Sequence, residues 1–427
     1  MPLAACHKVP VLVLTDTRLV LYHGGVGIIR SLGRIGVPVY SVVKDRFTPA
    51  AVSKYLTGAF IWHTERLDAQ RFLEGMHTIR ERLSCPAILV PTDDVTAICI
   101  AEQAAALSSQ FLFPQQPSML PRMLANKKEL YSLCKRIGIP CPDTVFPNSL
   151  SDVDEFVKGA LFPVVVKTIE SWLRPQGART TLIARSSERL YEIYRAAENR
   201  QGSNLMFQEY IAPAYGEDWF YHGYLNLQSG CCMGFTGRKI RSYPPFAGPT
   251  TLGRAVINDA LREQAEALLN TVSYGGIMDL DYRFDKRDGR YKLLDFNPRI
   301  GAQFRLFEDA AGIDVVRALY LDLTGTKVHR SVPLENRTFI AEFHDMAARL
   351  CYLREGGMKF NEWCPRHKEK IELAWFCTDD LFPFLMMFMR LLLRVIERLL
   401  RTSHRSKPSN AEPRWVKMRS RSVTPTT

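Results

Sequence analysis

The sequence predicts an α/β protein with three successive parts: a doubly wound parallel-sheet domain, a longer α+β region of antiparallel sheets, and a C-terminal amphipathic helix. In the first 120 residues, short apolar runs alternate with helical stretches, which is the pattern of a parallel sheet covered by helices. Beyond residue 200, strands come in pairs joined by short turns, which indicates antiparallel hairpins. After residue 380, arginines recur at helical spacing within an apolar run.

The parallel sheet is predicted from three apolar runs, Val9–Leu14, Val37–Val43 and Ala87–Val90. After the first run, the glycine-containing loop His23–Gly27 leads into a helix that we expect to continue through Arg34. This loop has two interpretations, a dinucleotide-binding turn or a plain strand-to-helix turn. Its spacing does not match Gly-x-Gly-x-x-Gly, which favours the second.

Length and charge limit the classes of function. A chain of 427 residues is long enough for two or three domains. The net charge of +12 is concentrated at the C-terminus, because Arg390–Thr427 contains ten Lys or Arg and two Glu, which leaves about +4 for the rest. This distribution argues against a nucleic-acid cleft across the folded body. The ten cysteines are scattered, and Cys364 and His367 form at most half a zinc site, so we expect reduced thiols in a cytoplasmic protein.

The segment Gly275–Ile300 carries the most informative pattern of the chain. In its first strand every second residue is polar, which predicts a half-buried strand whose polar face carries Asp279, Asp281, Arg283 and Asp285. The intervening apolar residues should form the opposite face of the strand.

A second strand, Tyr291–Asn297, should pair with the first across the loop Arg287–Gly289, with Gly289 in the left-handed region. We expect Leu293, Asp295 and Asn297 to share one face of this strand. The other face should then carry its remaining apolar side chains, Leu294 and Phe296.

This register places Asp281 opposite Asp295, with Asn297 one step along the strand. Two facing carboxylates repel each other unless a cation lies between them, and oxygen ligands of this kind suit Mg²⁺. The alternative is an ordinary amphipathic hairpin with solvated acids. The Asn-Pro-Arg sequence that ends the hairpin adds Arg299, whose guanidinium is suited to phosphate.

The hairpin resembles the metal-binding end of the ATP-grasp superfamily, the carboxylate–amine ligases and their relatives. Their signature is an acid on one strand followed by Glu-x-Asn-Pro-Arg on the next. Asp281 matches the first acid, Asp295 stands where Glu is usual, and Asn297 and Arg299 match the rest. The resemblance implies that Asp281, Asp295 and Asn297 bind Mg²⁺, with Mn²⁺ also possible. It implies that Arg299 stabilises the transferred phosphoryl group.

Two lysines earlier in the chain match the ATP-binding lysines of this family. Lys127 begins a helix that should end at Ile137, and Lys167 ends the apolar strand Phe162–Lys167. An ammonium at the end of an apolar strand needs an anionic partner, which is either a neighbouring acid or a phosphate. The resemblance implies the phosphates of ATP, covered by the loop Ser171–Thr181.

The run Gln208-Glu209-Tyr210-Ile211 resembles the hinge of the family, whose backbone faces the adenine. The resemblance also implies an acid a few residues later that holds the ribose hydroxyls. We assign Glu217 to this role, with Asp218 as the alternative. Both acids could instead simply cap a turn.

A cationic cluster follows in the next hairpin. If the strand continues through it, Lys239 and Arg241 share one face. They would then contact the substrate carboxylate and the transferred phosphate, and we include both among the catalytic residues. The alternative is a solvated rim.

The resemblance implies the following division of the chain: a pre-grasp α/β domain at 1–120, the small grasp lobe at 121–205, the large lobe with the metal site at 206–330, a C-terminal extension at 331–380, and a helix with a disordered tail at 381–427.

The function implied by the resemblance is ATP-dependent ligation of a small-molecule carboxylate to an amine. An acyl phosphate is the intermediate, and ADP and phosphate are released. Within the superfamily the chain is most similar to amino-acid or peptide ligases distantly related to D-aspartate ligase. Because Asp is one methylene shorter than Glu, the alternative is a catalytically weak ATP-binding scaffold or regulator at a membrane.

The C-terminal region 381–427 should contain a basic amphipathic helix over Leu381–Leu400, followed by a disordered basic tail. Arg390, Arg394 and Arg398 form one stripe of this helix, and no uncharged stretch is long enough to span a membrane. An anionic membrane surface is one partner for such a helix, at the inner face of the membrane. The other interpretation is packing on the protein itself or on a second subunit, so a dimer is possible.

Overall fold

Three β-sheets and the helices packed on them form the protein. A computed structural model describes residues 8–19, 22–64, 68–83, 85–173, 181–198, 204–212, 216–246, 248–354, 370–400 and 414–416. Cys364, His367 and most of the predicted phosphate-covering loop lie outside the described residues.

The strands are β1 (Val11–Leu14), β2 (Val39–Val43), β3 (Gly58–Ile61), β4 (Ala87–Pro91), β5 (Phe111–Leu112), β6 (Thr144–Val145), β7 (Val164–Thr168), β8 (Thr181–Ala184), β9 (Leu205–Glu209), β10 (Gly216–Asn226), β11 (Cys231–Ser242), β12 (Thr250–Ala255), β13 (Gly276–Asp285), β14 (Arg290–Asn297), β15 (Arg337–Ile340), β16 (Lys370–Leu373) and β17 (Arg414–Val416).

The α-helices are α1 (His23–Gly33), α2 (Ala69–Arg82), α3 (Asp94–Glu102), α4 (Ala104–Leu107), α5 (Leu120–Ala125), α6 (Lys127–Ile137), α7 (Leu150–Gly159), α8 (Ser187–Glu198), α9 (Asp259–Thr271), α10 (Val315–Leu323), α11 (Glu342–Arg354) and α12 (Phe382–Leu400).

The N-terminal sheet has the strand order β17-β3-β2-β1-β4-β5, and β1 to β5 are parallel. Alternate residues of β1 enter two different cores: Val11 and Val13 pack with α1, whereas Leu12 and Leu14 pack with α2. Helices therefore cover both faces of the sheet, which confirms the predicted doubly wound domain.

A four-stranded antiparallel sheet, β6-β9-β7-β8, follows the N-terminal domain. Lys127 begins α6 directly after Asn126, whose side chain caps the helix by accepting from the backbone N–H groups of Lys128 and Glu129. The helix ends at Gly138 in the left-handed conformation. Lys167 lies near the end of β7, as the sequence predicts.

The largest sheet has seven strands in the order β14-β13-β10-β11-β12-β15-β16, all antiparallel except the β15–β16 pair. One face packs on α9, with Leu261, Leu268 and Leu269 buried. The other face shares an apolar core with α1 of the N-terminal domain. A fully buried ion pair, Arg30 Nε to Asp380 Oδ2 at 2.9 Å, fastens the C-terminal region to α1.

The C-terminal helix is present as α12, one residue shorter than predicted. The predicted disorder of the tail is wrong for Arg414–Val416, which pairs antiparallel with β3 as β17. The edge of β3 offers unpaired backbone groups, and Trp and Val favour extended structure, which explains this pairing. No helix in the described parts of the chain is long and apolar enough to cross a membrane.

Candidate active site

The centre of the site is the β13–β14 hairpin. Asp281 lies opposite Asp295, and Asp279 lies opposite Asn297, so the predicted pairing of the two acids is confirmed. Residues directly opposite each other in an antiparallel pair have their side chains on the same face. The hairpin therefore presents three carboxylates and one amide within two steps of strand.

The hairpin loop is one residue longer than predicted. β13 ends at Asp285 and β14 begins at Arg290, so the loop consists of residues 286–289. Gly289 has a φ of 69° and closes the loop by donating its N–H to the carbonyl of Asp285. The expected conformation of Gly289 is confirmed, but an extra loop residue alone would shift the facing pairs by one.

A β-bulge restores the alignment of the acids. Tyr282 pairs with Leu293, whereas Asp281 pairs with Asp295, so Leu294 is the extra residue of β14. Leu293 consequently packs in the core beside Tyr282, and Leu294 lines the cleft. The predicted faces of these two leucines are wrong because the sequence pattern gives no sign of the bulge.

Asp295 is clamped by two lysines. The ammonium groups of Lys127 and Lys167 lie 3.0 Å from its Oδ1 and Oδ2, respectively. Burial raises the pKa of Asp295, but the two cations outweigh burial and hold it below its usual range. The partner of Lys167 in this structure is thus an acid, one of the two alternatives that the sequence left open.

Asp281 has its own cation. The ammonium of Lys239 lies 2.8 Å from Asp281 Oδ1. Burial raises the pKa of Asp281, and although Lys239 opposes this, the carboxylates of Asp279 and Asp295 raise it further. An additional cation would reduce the repulsion among these three carboxylates.

The oxygen ligands of the hairpin would fill only part of the coordination shell of a magnesium ion. Within the described ranges, no group of three or more His, Cys, Asp or Glu side chains is placed to hold a metal ion. Two carboxylates and the Asn297 amide oxygen are hard ligands, which Mg²⁺ accepts when water or phosphate oxygens complete its shell. The site therefore suits a metal that arrives with a phosphorylated substrate.

Arg299 connects the hairpin to the N-terminal domain. Its Nη2 donates to Asn297 Oδ1 at 3.0 Å, and its Nη1 donates to the carbonyl of Ile300 at 3.0 Å. The guanidinium also lies 3.5 Å from Asp279 and 3.4 Å from Asp94, the first residue of α3. These contacts hold the guanidinium at one end of the carboxylate row.

All these groups line one cleft of about 380 Å³, a volume within the range of small-molecule sites. Eleven of the thirteen predicted site residues lie along it: Lys127, Lys167, Gln208, Glu209, Tyr210, Ile211, Lys239, Asp281, Asp295, Asn297 and Arg299.

No protein-family model matches the chain. The chain is 26% identical over 266 residues to the D-aspartate ligase of Enterococcus faecium, and the match covers 58% of this chain and 62% of that ligase. The chain therefore spans less than two thirds of this curated relative.

Solved structures share the fold at low identity. N5-carboxyaminoimidazole synthetase from Staphylococcus aureus, complexed with ADP, has a TM-score of 0.58 at 12% identity. The match covers 78% of this chain and 81% of the synthetase chain. L-amino acid ligase from Bacillus licheniformis has a TM-score of 0.56 at 16% identity, with coverage of 77% and 74%. The biotin carboxylase domain of Hydrogenobacter thermophilus 2-oxoglutarate carboxylase, a dimer with MgADP, has a TM-score of 0.56 at 15% identity, with coverage of 77% and 73%.

With TM-scores of 0.56 to 0.58, these structures share the fold of this chain. The shared fold and the 26% identity to D-aspartate ligase agree with the resemblance to ATP-grasp proteins that the sequence carries.

The run that resembles the family's hinge lies where β9 of the four-stranded sheet ends. Gln208 and Glu209 are the last residues of β9, and Tyr210 and Ile211 follow directly. Gln208 is buried and donates to Thr144 Oγ1 at 3.1 Å. This contact fixes the β6–β9 edge against one wall of the cleft.

Glu217 does not lie in the cleft. It belongs to the face of β10 that also carries Trp219, and it pairs with Arg238 at 3.3 Å and Lys286 at 3.2 Å. Asp218 lies on the opposite face and lines the cleft, beside Arg283. The assignment of Glu217 is wrong because β10 begins at Gly216, so neighbouring residues alternate across a sheet there and do not form a turn.

Arg241 is also outside the cleft. A register shift in β11 separates it from Lys239, and its guanidinium makes a two-pronged ion pair with Asp345 of α11, with both bonds at 2.8 Å. Both side chains are 2% exposed. Arg241 therefore holds α11 against the sheet, and the expectation that it shares the site with Lys239 is wrong.

A buried His–Asp pair extends the site beyond the predicted residues. His222 Nε2 lies 2.9 Å from Asp279 Oδ1, and Gln303 Nε2 lies 3.1 Å from the same histidine nitrogen. Burial raises the pKa of Asp279, but His222 and Arg299 outweigh burial and lower it. The alternating pattern of β13 showed Asp279 on the polar face, whereas nothing in the sequence singled out His222.

The N-terminal domain supplies the far wall of the cleft. Asp94 starts α3 after the capping residue Asp93, and Tyr22 precedes α1. The Tyr22 hydroxyl donates to the carbonyl of Ile300 at 3.0 Å. Sequence reasoning missed both Asp94 and Tyr22, since each follows a parallel strand but belongs to no motif.

Proposed function

We propose that this protein belongs to the ATP-grasp superfamily and is an ATP- and Mg²⁺-dependent ligase that joins a carboxylate to an amine, of the amino-acid or peptide type. It releases ADP and phosphate and works through an acyl phosphate. The observation that carries the proposal is the facing pair Asp281 and Asp295 with three lysines around it. The ligase names of the relatives from E. faecium and B. licheniformis support the reaction class.

The nucleotide would lie between the hinge and the hairpin. The backbone of Gln208–Ile211 faces the adenine in this proposal, and Asp218 replaces Glu217 as the acid near the ribose. Lys127 and Lys167 would exchange the carboxylate of Asp295 for the phosphates of ATP. Such an exchange keeps both buried ammonium groups paired, which avoids the cost of an isolated buried charge.

Asp281, Asp295 and Asn297 would hold Mg²⁺ once Asp295 is released by the lysines. The ion would offset the phosphate charge of ATP, which is the usual contribution of Mg²⁺ to phosphoryl transfer. The shorter Asp at position 295 is compatible with this role because it already reaches both lysines at 3.0 Å.

The chemistry needs no protein nucleophile. An oxygen of the substrate carboxylate attacks the γ-phosphorus, and the bond to ADP breaks. The amine nitrogen then attacks the acyl carbon and loses a proton. The bond between the acyl carbon and the phosphate oxygen breaks, and phosphate leaves. Lys239 and Arg299 would stabilise the negative charge that develops on the phosphoryl and acyl oxygens.

The location of the activity is a second part of the proposal. We propose that residues 381–427 attach the protein peripherally to an anionic membrane surface. Helix α12 supports this, and so do seven Lys or Arg that follow Leu400 against a single acid, Glu412.

The experiment that tests the ligase is a phosphate-release screen over paired carboxylates and amines, with products identified by mass. We expect ADP and phosphate in equal amounts with one class of pair, and an amide as product. Hydroxylamine in place of the amine should trap the acyl phosphate as a hydroxamate. Formation of AMP would overturn the mechanism.

A matched control separates loss of chemistry from loss of fold. Lys239→Met should bind nucleotide but lose phosphate release, whereas Lys286→Met, on a lysine outside the cleft, should keep both. If the wild-type protein binds Mg·ATP and releases no ADP with any pair, the ligase proposal fails in favour of the ATP-binding scaffold.

A further inference from the structure

The C-terminal helix α12 is apolar on two opposite sides. On the inner side Met387 is 1% exposed, and Phe384 and Leu391 pack against the core shared with the N-terminal domain. On the outer side, large apolar side chains recur at helical spacing and remain 41–58% exposed: Phe382, Leu385, Met389, Leu392, Leu393 and Ile396. A helix docked on a protein normally presents polar residues outwards, so this outer side requires a separate explanation.

Helix α11 also exposes apolar side chains on its outer side. Its inner side carries Asp345 and Tyr352, which are buried. Its outer side carries Met346, Leu350 and Leu353, with exposures of 64%, 60% and 45%. The spacing of i, i+4 and i+7 makes these three residues a continuous stripe on the surface of the helix.

The two apolar sides meet where the helices touch. The ring of Phe343, in the first turn of α11, lies 6.1 Å from the ring of Phe388 and 5.8 Å from that of Phe384. Phe343 lies one turn before Met346, and Phe388 lies one turn after Leu385. The outer stripes of α11 and α12 therefore join through this aromatic contact into one surface.

The charges beside this surface favour an anionic partner. The acids of α11 turn inwards: Asp345 binds Arg241, and Glu342 accepts backbone N–H groups of Trp375 and Phe376. Arg354, at the C-terminal end of α11, is exposed. The sequence after Leu400 contains seven Lys or Arg and a single acid, Glu412.

The first arginine of the predicted stripe does not face outwards. Arg390 binds Asp45 and donates to the carbonyl of Phe47 at 3.1 Å, so it fastens α12 to the N-terminal domain. A membrane-binding side centred on Arg390 is therefore excluded by its contacts. Among the described side chains of α12, those of the apolar outer side are exposed and could contact a lipid surface.

We infer that α11 and α12 together form a membrane-docking face, defined by Met346, Leu350, Leu353, Leu385, Met389 and Leu392, that inserts into an anionic lipid surface. This inference rests on the proposed membrane location and is independent of the ligase chemistry. Insertion would remove the exposed apolar area from water, and the neighbouring basic residues would bind the lipid headgroups.

The same helix α11 also contacts the rim of the cleft. The ring of Tyr352 lies 5.0 Å from that of Phe246, a residue that lines the cleft. The docking face and the cleft rim thus lie on opposite sides of one helix. Docking would hold the ligase with this edge of the cleft close to the lipid surface.

The test is sedimentation of the full-length protein with vesicles of phosphatidylcholine, with and without phosphatidylserine. Two double variants address the two helices: Met346→Glu with Leu350→Glu, and Leu385→Glu with Met389→Glu. We expect wild-type protein to sediment only with anionic vesicles, and each double variant to bind about tenfold more weakly. Because the substituted side chains are at least half exposed, the melting temperature should stay unchanged.

The matched control is Leu161→Glu with Val332→Glu, which changes two exposed apolar residues outside the docking face, 90% and 68% exposed. It should sediment like wild type. Loss of binding only in the α12 variant would overturn the two-helix face, and no sedimentation of wild type would overturn the membrane partner. A wild-type dimer that the double variants dissociate, without vesicle binding, would show that a second copy covers the face.

Discussion

Replacing Asp295 by Asn tests the centre of the site most directly. The carboxylate of Asp295 is the common partner of Lys127 and Lys167, each at 3.0 Å. Asn keeps the size of the side chain but removes its charge, which leaves two ammonium groups beside one neutral amide. We expect the variant to lose turnover, to lose stability without nucleotide, and to gain affinity for nucleotide in the absence of Mg²⁺.

The size of the stability loss follows from the geometry. At an effective dielectric constant of about 20, each 3.0 Å pair is worth about 5 kcal/mol of gross attraction. Desolvation cancels much of this, since removing one partner of a buried pair typically costs about 3–5 kcal/mol. Asp295 keeps 25% of its side chain exposed, so we expect a loss of about 3 kcal/mol, or about 3 °C in the melting temperature of a chain of this length.

The lowered pKa of Asp295 determines how its contribution to stability changes with pH. A folded pKa below the unfolded value gives stability that is present above about pH 4 and is lost as the pH falls towards the folded pKa. The difference between wild type and Asp295→Asn should therefore be full at neutral pH and shrink only in acid.

The measurement is thermal unfolding with and without ADP, in EDTA, alongside phosphate release. Asp288→Asn is the matched control, because Asp288 lies on the same hairpin, is 40% exposed and pairs with Lys292 at 3.2 Å. An exposed pair of this kind contributes less than about 1 kcal/mol. The reasoning is refuted if Asp295→Asn retains turnover, or if it melts like the control and ADP protects it no more than wild type.

Three further predictions concern residues whose roles the structure defines or corrects. Asp218→Ala should raise the KM for ATP about tenfold, whereas Glu217→Ala should leave it unchanged; the reverse result would restore Glu217 to the nucleotide site. Gly301→Ala should lower both the melting temperature and turnover, because a Cβ would lie 2.2 Å from His222 Cε1 and 2.7 Å from Asp279 Oδ2; an alanine variant with wild-type kinetics would contradict this packing. Burial and Asp16 raise the pKa of Asp93 to about 7, so this group should reduce stability progressively as the pH rises from about 4 to 7, by up to about 4 kcal/mol. Asp93→Asn should flatten that slope in pH-dependent unfolding, and an unchanged slope would rule out this assignment.

Features encoded by neighbouring residues were predicted well from the sequence. The alternation of acids in β13 fixed its polar face, and Asp281 lies opposite Asp295 as expected. The C-terminal helix α12 is only one residue shorter than predicted, because arginines at helical spacing within an apolar run mark it in the sequence. Lys167 was identified because an ammonium at the end of an apolar strand needs an anion.

Features that depend on distant residues could not be predicted in this way. Arg241 looked like a partner of Lys239 because they are two residues apart, yet its ion-pair partner Asp345 is 104 residues away. Asp94 reaches the cleft only because the N-terminal domain packs against the large sheet and brings it within 3.4 Å of Arg299. No local pattern carries information about such contacts.

The bulge in β14 bears on the one departure from the family signature, the Asp at position 295. A bulge bends its strand and redirects the neighbouring side chains, and this one lies directly before Asp295, at Leu294. The carboxylate still contacts Lys127 and Lys167 at 3.0 Å, one lysine for each oxygen. Loss of one methylene therefore costs no contact here, because the reach of an acid depends on the path of its strand as well as on its length. The shorter acid is thus weak evidence for the scaffold alternative, and the intact clamp around it favours a working nucleotide site.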